Sequence, residues 1–309
     1  MKRVRVGVVG LGQWGRHHVR NYHQIPQVDL VAVADLDERE VRGFSRRYQV
    51  EGFVDHRALI GRVDAVSIVV PTVHHYAVAR DFLEAGVHVL LEKPMTTTQE
   101  EAEELVDLAR RRGVLLLVGH VERFKPAVGQ FVEMARRPLF IQCRRARPFD
   151  PNRAMDVGDV LDLMIHDLDI VLALTGARIA RVSAVGACVH NEDEDLAVVH
   201  LVLRDGCAAS LVASRIAPTK VAEIEATLED RVVALDYLRQ SISVRRFDGE
   251  MEHVECRREE PLLEELIHFA ECVQGLQTPL VPGEAGLQVL AAAQQVLGQM
   301  TMMRPRVMA

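Results

Sequence analysis

The first 120 residues alternate apolar, strand-like runs with helical stretches, and this alternation constrains the fold more than any other feature of the chain. The apolar runs are RVRVGVVG at 3–10, VDLVAVAD at 28–35, VDAVSIVVP at 63–71, VHVLLEKP at 87–94 and VLLLVGH at 114–120. Helical stretches begin near Gln13 and cover 73–85 and 98–112. Strands that alternate with helices of this length form βαβ units, so we expect a parallel, doubly wound α/β sheet.

The pattern changes after residue 120, where we place a domain boundary between 1–120 and 121–309. One apolar helix is predicted over 158–175, and two helices, 261–275 and 284–301, close the chain. Strand-like segments without intervening helices lie between them, at 179–190, 195–204, 207–216, 221–229, 231–238 and 241–247. This order predicts an α+β second domain with a large, mostly antiparallel sheet, to which we assign both closing helices.

Composition excludes several classes of function. The net charge of −7 without a long basic block argues against nucleic acid or an anionic membrane as the main partner. No apolar run reaches eighteen residues, and the first residues enter a strand rather than a secretory signal. Five scattered cysteines without a Cys-x-x-Cys pair favour a reducing cytoplasm and give no metal cage.

A glycine-rich turn follows the first strand. The segment Gly10-Leu11-Gly12-Gln13-Trp14-Gly15 matches G-x-G-x-x-G, in which backbone N–H groups at a helix N-terminus bind a pyrophosphate. Asp35 lies 20 residues beyond Gly15, where a carboxylate accepts hydrogen bonds from a ribose 2′-hydroxyl and repels a 2′-phosphate. NAD is therefore the expected cofactor, with NADP as the alternative because Arg39 is nearby. The glycines could instead serve only tight packing between strand and helix.

Two further strands end in residues that predict contacts with this cofactor, because ligands of open α/β sheets bind at the carboxyl ends of the strands. Glu92, Lys93 and Pro94 end one strand, and Lys93 is one of only four lysines in the chain. Pro71 and Thr72, followed by His75, end another. An exposed lysine that merely ends a strand is the alternative for Lys93. His75 either contacts the cofactor or only begins a helix.

The helix predicted over 158–175 carries a narrow polar stripe. Asp159, Asp162, His166 and Asp169 fall within an arc of about 80° at roughly 100° per residue, while apolar residues cover most of the remainder. Asp162 and His166 are one turn apart, so the carboxylate can orient the imidazole as a general base. A solvent-facing stripe, a core histidine satisfied by Asp162 and a metal site are the alternatives.

Together these residues resemble the Gfo/Idh/MocA oxidoreductases, named for glucose-fructose oxidoreductase and inositol dehydrogenase. The resemblance covers nearly the whole chain and includes GLGQWG, VPTVHH at 70–75, AGVHVLLEKP at 85–94, the Asp162-x-x-x-His166 helix and the closing helices. GHVERFKPAV at 119–128 resembles a subgroup that includes nucleotide-sugar dehydrogenases, such as those oxidising UDP-N-acetylglucosamine at C3. Lys125 replaces the asparagine usual in that stretch.

The resemblance implies a Rossmann domain, an α+β domain whose sheet often serves in oligomer contacts, and redox chemistry at a secondary hydroxyl of a sugar, nucleotide sugar or cyclitol. Carried onto this chain, Lys93 hydrogen-bonds the reacting oxygen, His166 exchanges the proton and Asp162 orients one or both. We expect a cytoplasmic homodimer or homotetramer. The alternative is a catalytically silent NAD(P)-binding sensor of the same fold.

Substrate contacts are predicted for Arg123, Arg153 and Asp169. Arg153 belongs to a basic segment that also contains Arg144, Arg145 and Arg147. These arginines could clamp a diphosphate through paired hydrogen bonds, or they could pair with nearby aspartates.

Overall fold

A computed structural model describes residues 2–151 and 157–303 of the chain. The chain divides into two compact units. The first comprises Met1–Phe124 with Glu259–Gln288, and the second comprises Lys125–Arg258 with Val289–Ala309.

The described residues form strands and helices with the following bounds. The strands are β1 Val4–Val9, β2 Val28–Ala34, β3 Glu51–Phe53, β4 Ala65–Ile68, β5 His88–Glu92, β6 Leu116–Gly119, β7 Phe140–Ala146, β8 Ile179–Ala187, β9 Leu196–Leu203, β10 Ala208–Ser214, β11 Val221–Thr227, β12 Arg231–Asp236, β13 Ser241–Arg246, β14 Met251–Glu255 and β15 Met300–Met303. The α-helices are α1 Gly15–Gln24, α2 Glu38–Tyr48, α3 His75–Glu84, α4 Gln99–Arg112, α5 Pro126–Met134, α6 Ile165–Thr175, α7 Pro261–Val273 and α8 Gly283–Gly298.

The first unit contains a six-stranded parallel sheet in the order β3-β2-β1-β4-β5-β6. The direction of strand order reverses between β1 and β4, and ligands of such sheets bind at the carboxyl edge beside this reversal. Strands β1, β4 and β5 are almost fully buried, as their largely apolar sequences require. The predicted doubly wound α/β domain is confirmed.

The second unit contains a nine-stranded mixed sheet in the order β14-β13-β12-β11-β7-β10-β9-β8-β15. Most neighbours are antiparallel, whereas β7 pairs with β10 and β8 with β15 in parallel. Apolar side chains of one sheet face pack with those of α5, α6 and the later part of α8 in one core. The predicted large, mostly antiparallel sheet is confirmed.

The structure corrects the predicted division of the chain. Helix α7 belongs to the first unit rather than to a domain spanning 121–309, and the division falls within α8. The physical reason is the apolar stripe of α7, whose Leu262, Leu266 and Phe269 pack in the same core as residues of β1 and α1. None of the described helices combines the length and apolar character that crossing a membrane requires.

Candidate active site

The glycine-rich turn connects β1 to α1, and two of its glycines are required by the protein itself. Gly10 has a φ of +94°, and a Cβ atom there would lie 2.5 Å from the carbonyl oxygen of Val69. A Cβ atom at Gly15 would lie 1.9 Å from the carbonyl oxygen of Gly10. Tight packing therefore explains these two positions, as the packing alternative anticipates.

Gly12 is different, because it is exposed and a Cβ atom there would meet no protein atom within 4 Å. Packing within the protein does not require a glycine at this position, whereas close approach of a pyrophosphate to the backbone does. Asp35 lies beside the turn, where its Oδ2 accepts the N–H of Leu11 at 2.6 Å and its Oδ1 accepts the N–H of Asp37 at 2.8 Å. Open space at Gly12 and the fixed carboxylate of Asp35 fit a bound dinucleotide.

Lys93 directly follows β5, two strands from β1 in the sheet. Its backbone N–H donates to Oε2 of Glu92 at 3.2 Å. The other carboxylate oxygen of Glu92 accepts the indole N–H of Trp14 at 2.8 Å and lies 3.1 Å from Nε2 of His18. Glu92 is thus hydrogen-bonded to both the glycine-rich turn segment and the backbone of Lys93.

Two buried carboxyl groups in this region have opposite pKa shifts. Burial alone would raise the pKa of Glu92, but the hydrogen bonds from His18 and Trp14 and the charge of Lys93 outweigh burial and lower it. Glu265, on α7, is fully buried, and neither of its carboxyl oxygens has a hydrogen-bond partner among the described residues. Burial, followed by the charge of Glu92, raises the pKa of Glu265 well above its usual range.

His75 begins α3 and is buried between two strand ends. Its Nδ1 lies 2.8 Å from the carbonyl oxygen of Pro94, and its Nε2 lies 2.9 Å from that of Val70. Burial lowers the pKa of His75, so the neutral ring donates to one of these carbonyls at a time. This geometry favours the helix-initiating role over a cofactor contact. Pro71, which is exposed, and Thr72, which is buried, immediately precede it.

The predicted catalytic helix begins in the second unit as a π-helical turn over Val160–Met164 and continues as α6. Short π-helical segments occur frequently at functional sites. Asp162 is buried within this turn, His166 is half-buried in the first turn of α6, and Asp169 is buried one turn later. A π-helical turn changes the rotation per residue, so the stripe calculated for a regular α-helix holds only from Ile165 onward.

Arginines from β7 and the segment after it pair with aspartates of this helix. Nη2 of Arg145 donates to Oδ1 of Asp167 at 2.9 Å, and Nη2 of Arg147 donates to Oδ2 of Asp162 at 3.3 Å. Arg144 points elsewhere and lies 4.0 Å from the carboxylate of Glu223. These contacts match the aspartate-pairing alternative for Arg145 and Arg147.

The start of the same helix is fixed by a buried ion pair. Oδ1 of Asp159 accepts Nε–H of Arg215 at 2.6 Å, and its Oδ2 accepts the backbone N–H of Arg215 at 2.8 Å. Nη2 of Arg215 donates to the carbonyl oxygen of Val157 at 3.0 Å. The backbone N–H of Val160 donates to Oε1 of Glu194 at 2.9 Å. The segment that precedes Asp162 and His166 is therefore anchored to β9 and β10.

The remaining predicted site residues are distributed as follows. Gln13 is exposed in the glycine-rich turn, and Arg123 lies in a 3₁₀ turn, Val121–Phe124, at the end of the first unit. Arg153 lies outside the described residues. Within residues 2–151 and 157–303, no three histidine, cysteine, aspartate or glutamate side chains are arranged to hold a metal ion.

Sequence reasoning missed His18, Arg215 and Glu265. His18 follows Trp14, the residue before α1, by four positions, and this spacing brings the two side chains to the same side of the helix start. Glu265 interrupts the apolar stripe of α7, and a carboxyl group at such a position is a detectable signal of a buried acid. Nothing in the local sequence of Arg215 distinguishes it from the many exposed arginines.

Comparisons with known proteins agree with this architecture. Residues 4–120 match the profile described as "Oxidoreductase family, NAD-binding Rossmann fold", and residues 137–232 match the "GFO/IDH/MocA C-terminal domain". The chain is 35% identical over 307 residues to the UDP-N-acetylglucosamine 3-dehydrogenase of Acidithiobacillus ferrooxidans, covering 96% of this chain and 97% of that protein. It is 29% identical over 308 residues to the scyllo-inositol 2-dehydrogenase (NAD(+)) of Bacillus subtilis, covering 90% and 89% of the two chains.

A solved structure of the Acidithiobacillus ferrooxidans UDP-N-acetylglucosamine 3-dehydrogenase superposes with a TM-score of 0.92 at 34% identity, covering 97% of this chain and 98% of that one. The resemblance noted from the sequence motifs is confirmed. The chain belongs to the Gfo/Idh/MocA family of oxidoreductases.

Proposed function

We propose that this protein is an NAD(P)-dependent oxidoreductase that interconverts a secondary alcohol and a ketone of a sugar, nucleotide sugar or cyclitol. The observation that carries the proposal is the position of Lys93, whose backbone is hydrogen-bonded to the same carboxylate as a residue of the dinucleotide turn. This contact supports a role beside the cofactor for Lys93, the lysine of the family's Glu-Lys-Pro motif. Family relatives that act on sugars and cyclitols support the substrate class.

Each predicted catalytic residue has a chemical role in this proposal. Lys93 stabilises negative charge on the reacting oxygen through its ammonium group. His166 accepts the hydroxyl proton in oxidation and returns it in reduction, and Asp162 fixes the orientation of the imidazole. The nicotinamide, when bound, accepts or supplies the hydride. Convergence of Lys93 with His166 at one substrate stays a prediction.

NAD is the proposed cofactor because the carboxylate of Asp35 is held beside the turn by the N–H of Leu11. A carboxylate in this position favours a free ribose 2′-hydroxyl over a 2′-phosphate. Among the substrate classes we favour nucleotide sugars, which the similarity to the UDP-N-acetylglucosamine 3-dehydrogenase supports. Arg123, Arg153 and Asp169 are the proposed substrate contacts.

We also propose that the protein acts as a homodimer or homotetramer in the cytoplasm. Phe140 on β7 and Val202 on β9 are partly exposed apolar residues on the face of the nine-stranded sheet opposite the core. All five cysteines are free thiols, as is usual in a reducing compartment. Light scattering coupled to size exclusion measures the assembly, and a monomer at micromolar concentration would contradict it.

Nicotinamide absorbance, measured with nucleotide sugars, free sugars and inositols, tests the function. We expect turnover with a nucleotide sugar and a preference for NAD. Lys93→Met and His166→Asn should each lower kcat by about 10²–10⁴-fold while NADH binding stays nearly unchanged. Lys220→Met and His200→Asn, which alter exposed residues, are the matched controls. Tight NADH binding without turnover of any substrate would favour the sensor alternative.

A further inference from the structure

The carboxylate of Glu92 accepts hydrogen bonds from two segments for which we propose different roles, cofactor binding and catalysis. One is the glycine-rich turn, through the indole of Trp14, and the other is the backbone of Lys93. We propose that Glu92 is a positioning residue that couples occupation of the glycine-rich turn to the position of Lys93. This inference rests on the proposed function and deepens it, because it adds a path by which dinucleotide binding prepares the reactive lysine.

The geometry of Trp14 supports this path. The residue is 42% exposed, yet its indole N–H donates to Oε1 of the buried Glu92 at 2.8 Å. Trp14 also provides the residue immediately before α1, and the turn that precedes it contains the open position Gly12. Trp14, whose indole is hydrogen-bonded to Glu92, therefore follows by two residues the open position at which a pyrophosphate would approach the backbone.

Glu92 is itself closely surrounded by the protein. It is buried, and a Cβ atom at the neighbouring Gly119 would lie 2.9 Å from its carboxylate, so the absence of a side chain there makes room for it. Nε2 of His18, in the first turn of α1, lies 3.1 Å from the oxygen that accepts the N–H of Trp14. Trp14 and His18, at the start of α1, thus contact one carboxylate oxygen, while the other oxygen accepts the N–H of Lys93.

The surroundings of Glu92 favour its ionised form. Hydrogen bonds and the nearby ammonium of Lys93 lower the pKa of Glu92, whereas burial raises that of Glu265. Charge-assisted hydrogen bonds to an ionised acceptor are the stronger kind. Removing the indole N–H should therefore weaken the connection measurably without removing a charge from the protein interior.

The four lysines make a direct test practical. Reductive methylation with ¹³C-formaldehyde labels each lysine while keeping its charge, and loss of one signal in Lys93→Arg assigns the resonance of Lys93. ADP-ribose is the probe, because it occupies the pyrophosphate turn but lacks the nicotinamide that would approach Lys93 directly. We expect ADP-ribose to shift the Lys93 resonance in the unaltered protein.

Trp14→Phe and Glu92→Gln should abolish most of this shift, although both variants still bind ADP-ribose. Trp14→Phe removes the indole N–H and keeps an aromatic ring, and Glu92→Gln removes the charge and keeps the shape. His17→Ala is the matched control, because His17 contacts the ring of Trp14 edge-on at 5.6 Å but makes no hydrogen bond to Glu92. This control should keep the shift of the unaltered protein.

Kinetics supply a second readout that a merely structural role would not give. Trp14→Phe should lower kcat about tenfold or more, the effect expected from losing one hydrogen bond to a charged group, while KM for NAD changes little. If ADP-ribose still binds to Trp14→Phe and Glu92→Gln and shifts the Lys93 resonance as much as in the unaltered protein, the proposed coupling is wrong and the proposed function stands. Failure of the unaltered protein to bind either ADP-ribose or NADH would overturn both.

Discussion

Removing Arg215 tests whether a buried ion pair fixes the start of the helix that carries Asp162 and His166. In Arg215→Met, the carboxylate of Asp159 keeps only the backbone N–H of residue 215, and the carbonyl of Val157 loses its donor. Both side chains of the pair are essentially inaccessible to solvent, at 1% and 0% exposure. Breaking such a pair from one side costs about 3–5 kcal/mol, because the remaining charge stays buried without its partner.

Part of this cost depends on pH. Burial raises the pKa of Asp159 to about 6 even with Arg215 present, since the low-dielectric surroundings outweigh the hydrogen bonds to the arginine. Without Arg215 the carboxyl group of Asp159 should stay protonated at neutral pH, so that no unpaired charge is buried. The destabilisation by Arg215→Met should therefore be smaller at pH 5 than at pH 8.

Two spectroscopic probes locate the effect. The only tryptophan, Trp14, lies in the first unit, so its fluorescence follows unfolding of that unit, whereas far-ultraviolet circular dichroism follows both. In urea, Arg215→Met should lower the midpoint of the second-unit transition seen by circular dichroism and change the fluorescence midpoint little. Hydrogen exchange should accelerate at the amides of Val160–Met164.

The double variant Asp159→Leu/Arg215→Met provides the control. Because both charges are removed together, it should be more stable than Arg215→Met alone, and the difference measures the coupling of the pair. A loss below about 1 kcal/mol in the single variant, or strictly additive losses in the double one, would refute the idea that this pair anchors the helix.

Three other predictions concern the first unit. Glu265→Gln should leave the free energy of unfolding unchanged near pH 4 and raise it increasingly at higher pH. The reason is that the pKa of Glu265 is higher in the folded than in the unfolded protein, so the native glutamate costs stability as the pH rises from the unfolded-state pKa to the folded-state pKa. Each pKa unit between the two states is worth about 1.4 kcal/mol, and urea midpoints followed by Trp14 fluorescence measure the change in stability. Gly12→Ala should weaken NADH binding about tenfold or more while the melting temperature stays constant, since its Cβ meets no protein atom; equal binding by calorimetry would contradict a pyrophosphate at this turn. Asp35→Asn should shift the ratio of NAD to NADP affinity toward NADP. Fluorescence titration with NADH and NADPH measures this ratio, and an unchanged ratio would contradict the role of Asp35.

The elements predicted best are those whose sequence period and burial agree. Strands β1, β4 and β5 are nearly continuous apolar runs, and the structure places each within its predicted segment. By contrast, the sequence does not predict β7. Its inward-facing residues are Ile141, Cys143 and Arg145, and the arginine interrupts the apolar alternation that indicates a strand. Its alternation becomes visible only when the buried aspartate that pairs with Arg145 is known.

The sequence predicts those parts of the candidate site that depend on local spacing and not those that depend on contacts between distant residues. The glycine-rich turn and Asp35 depend on local spacing, so the motif alone predicts their neighbourhood. The contacts of Glu92 with Trp14 and of Asp159 with Arg215 join residues 78 and 56 positions apart, and no local periodicity encodes such pairings.

Buried charges at these positions therefore have an energetic cost that local sequence preferences do not reveal. Glu265 is the clearest case: it lies on the apolar stripe of α7, where a leucine would pack with Leu262, Leu266 and Phe269 at no electrostatic cost. Because the raised pKa of Glu265 costs stability as the pH rises, packing alone does not explain a glutamate at this position. Its neighbour Glu92, whose charge raises the pKa of Glu265 further, accepts hydrogen bonds from the indole of Trp14 and from the backbone of Lys93, so the cost of burying Glu265 is tied to the carboxylate that connects these two segments.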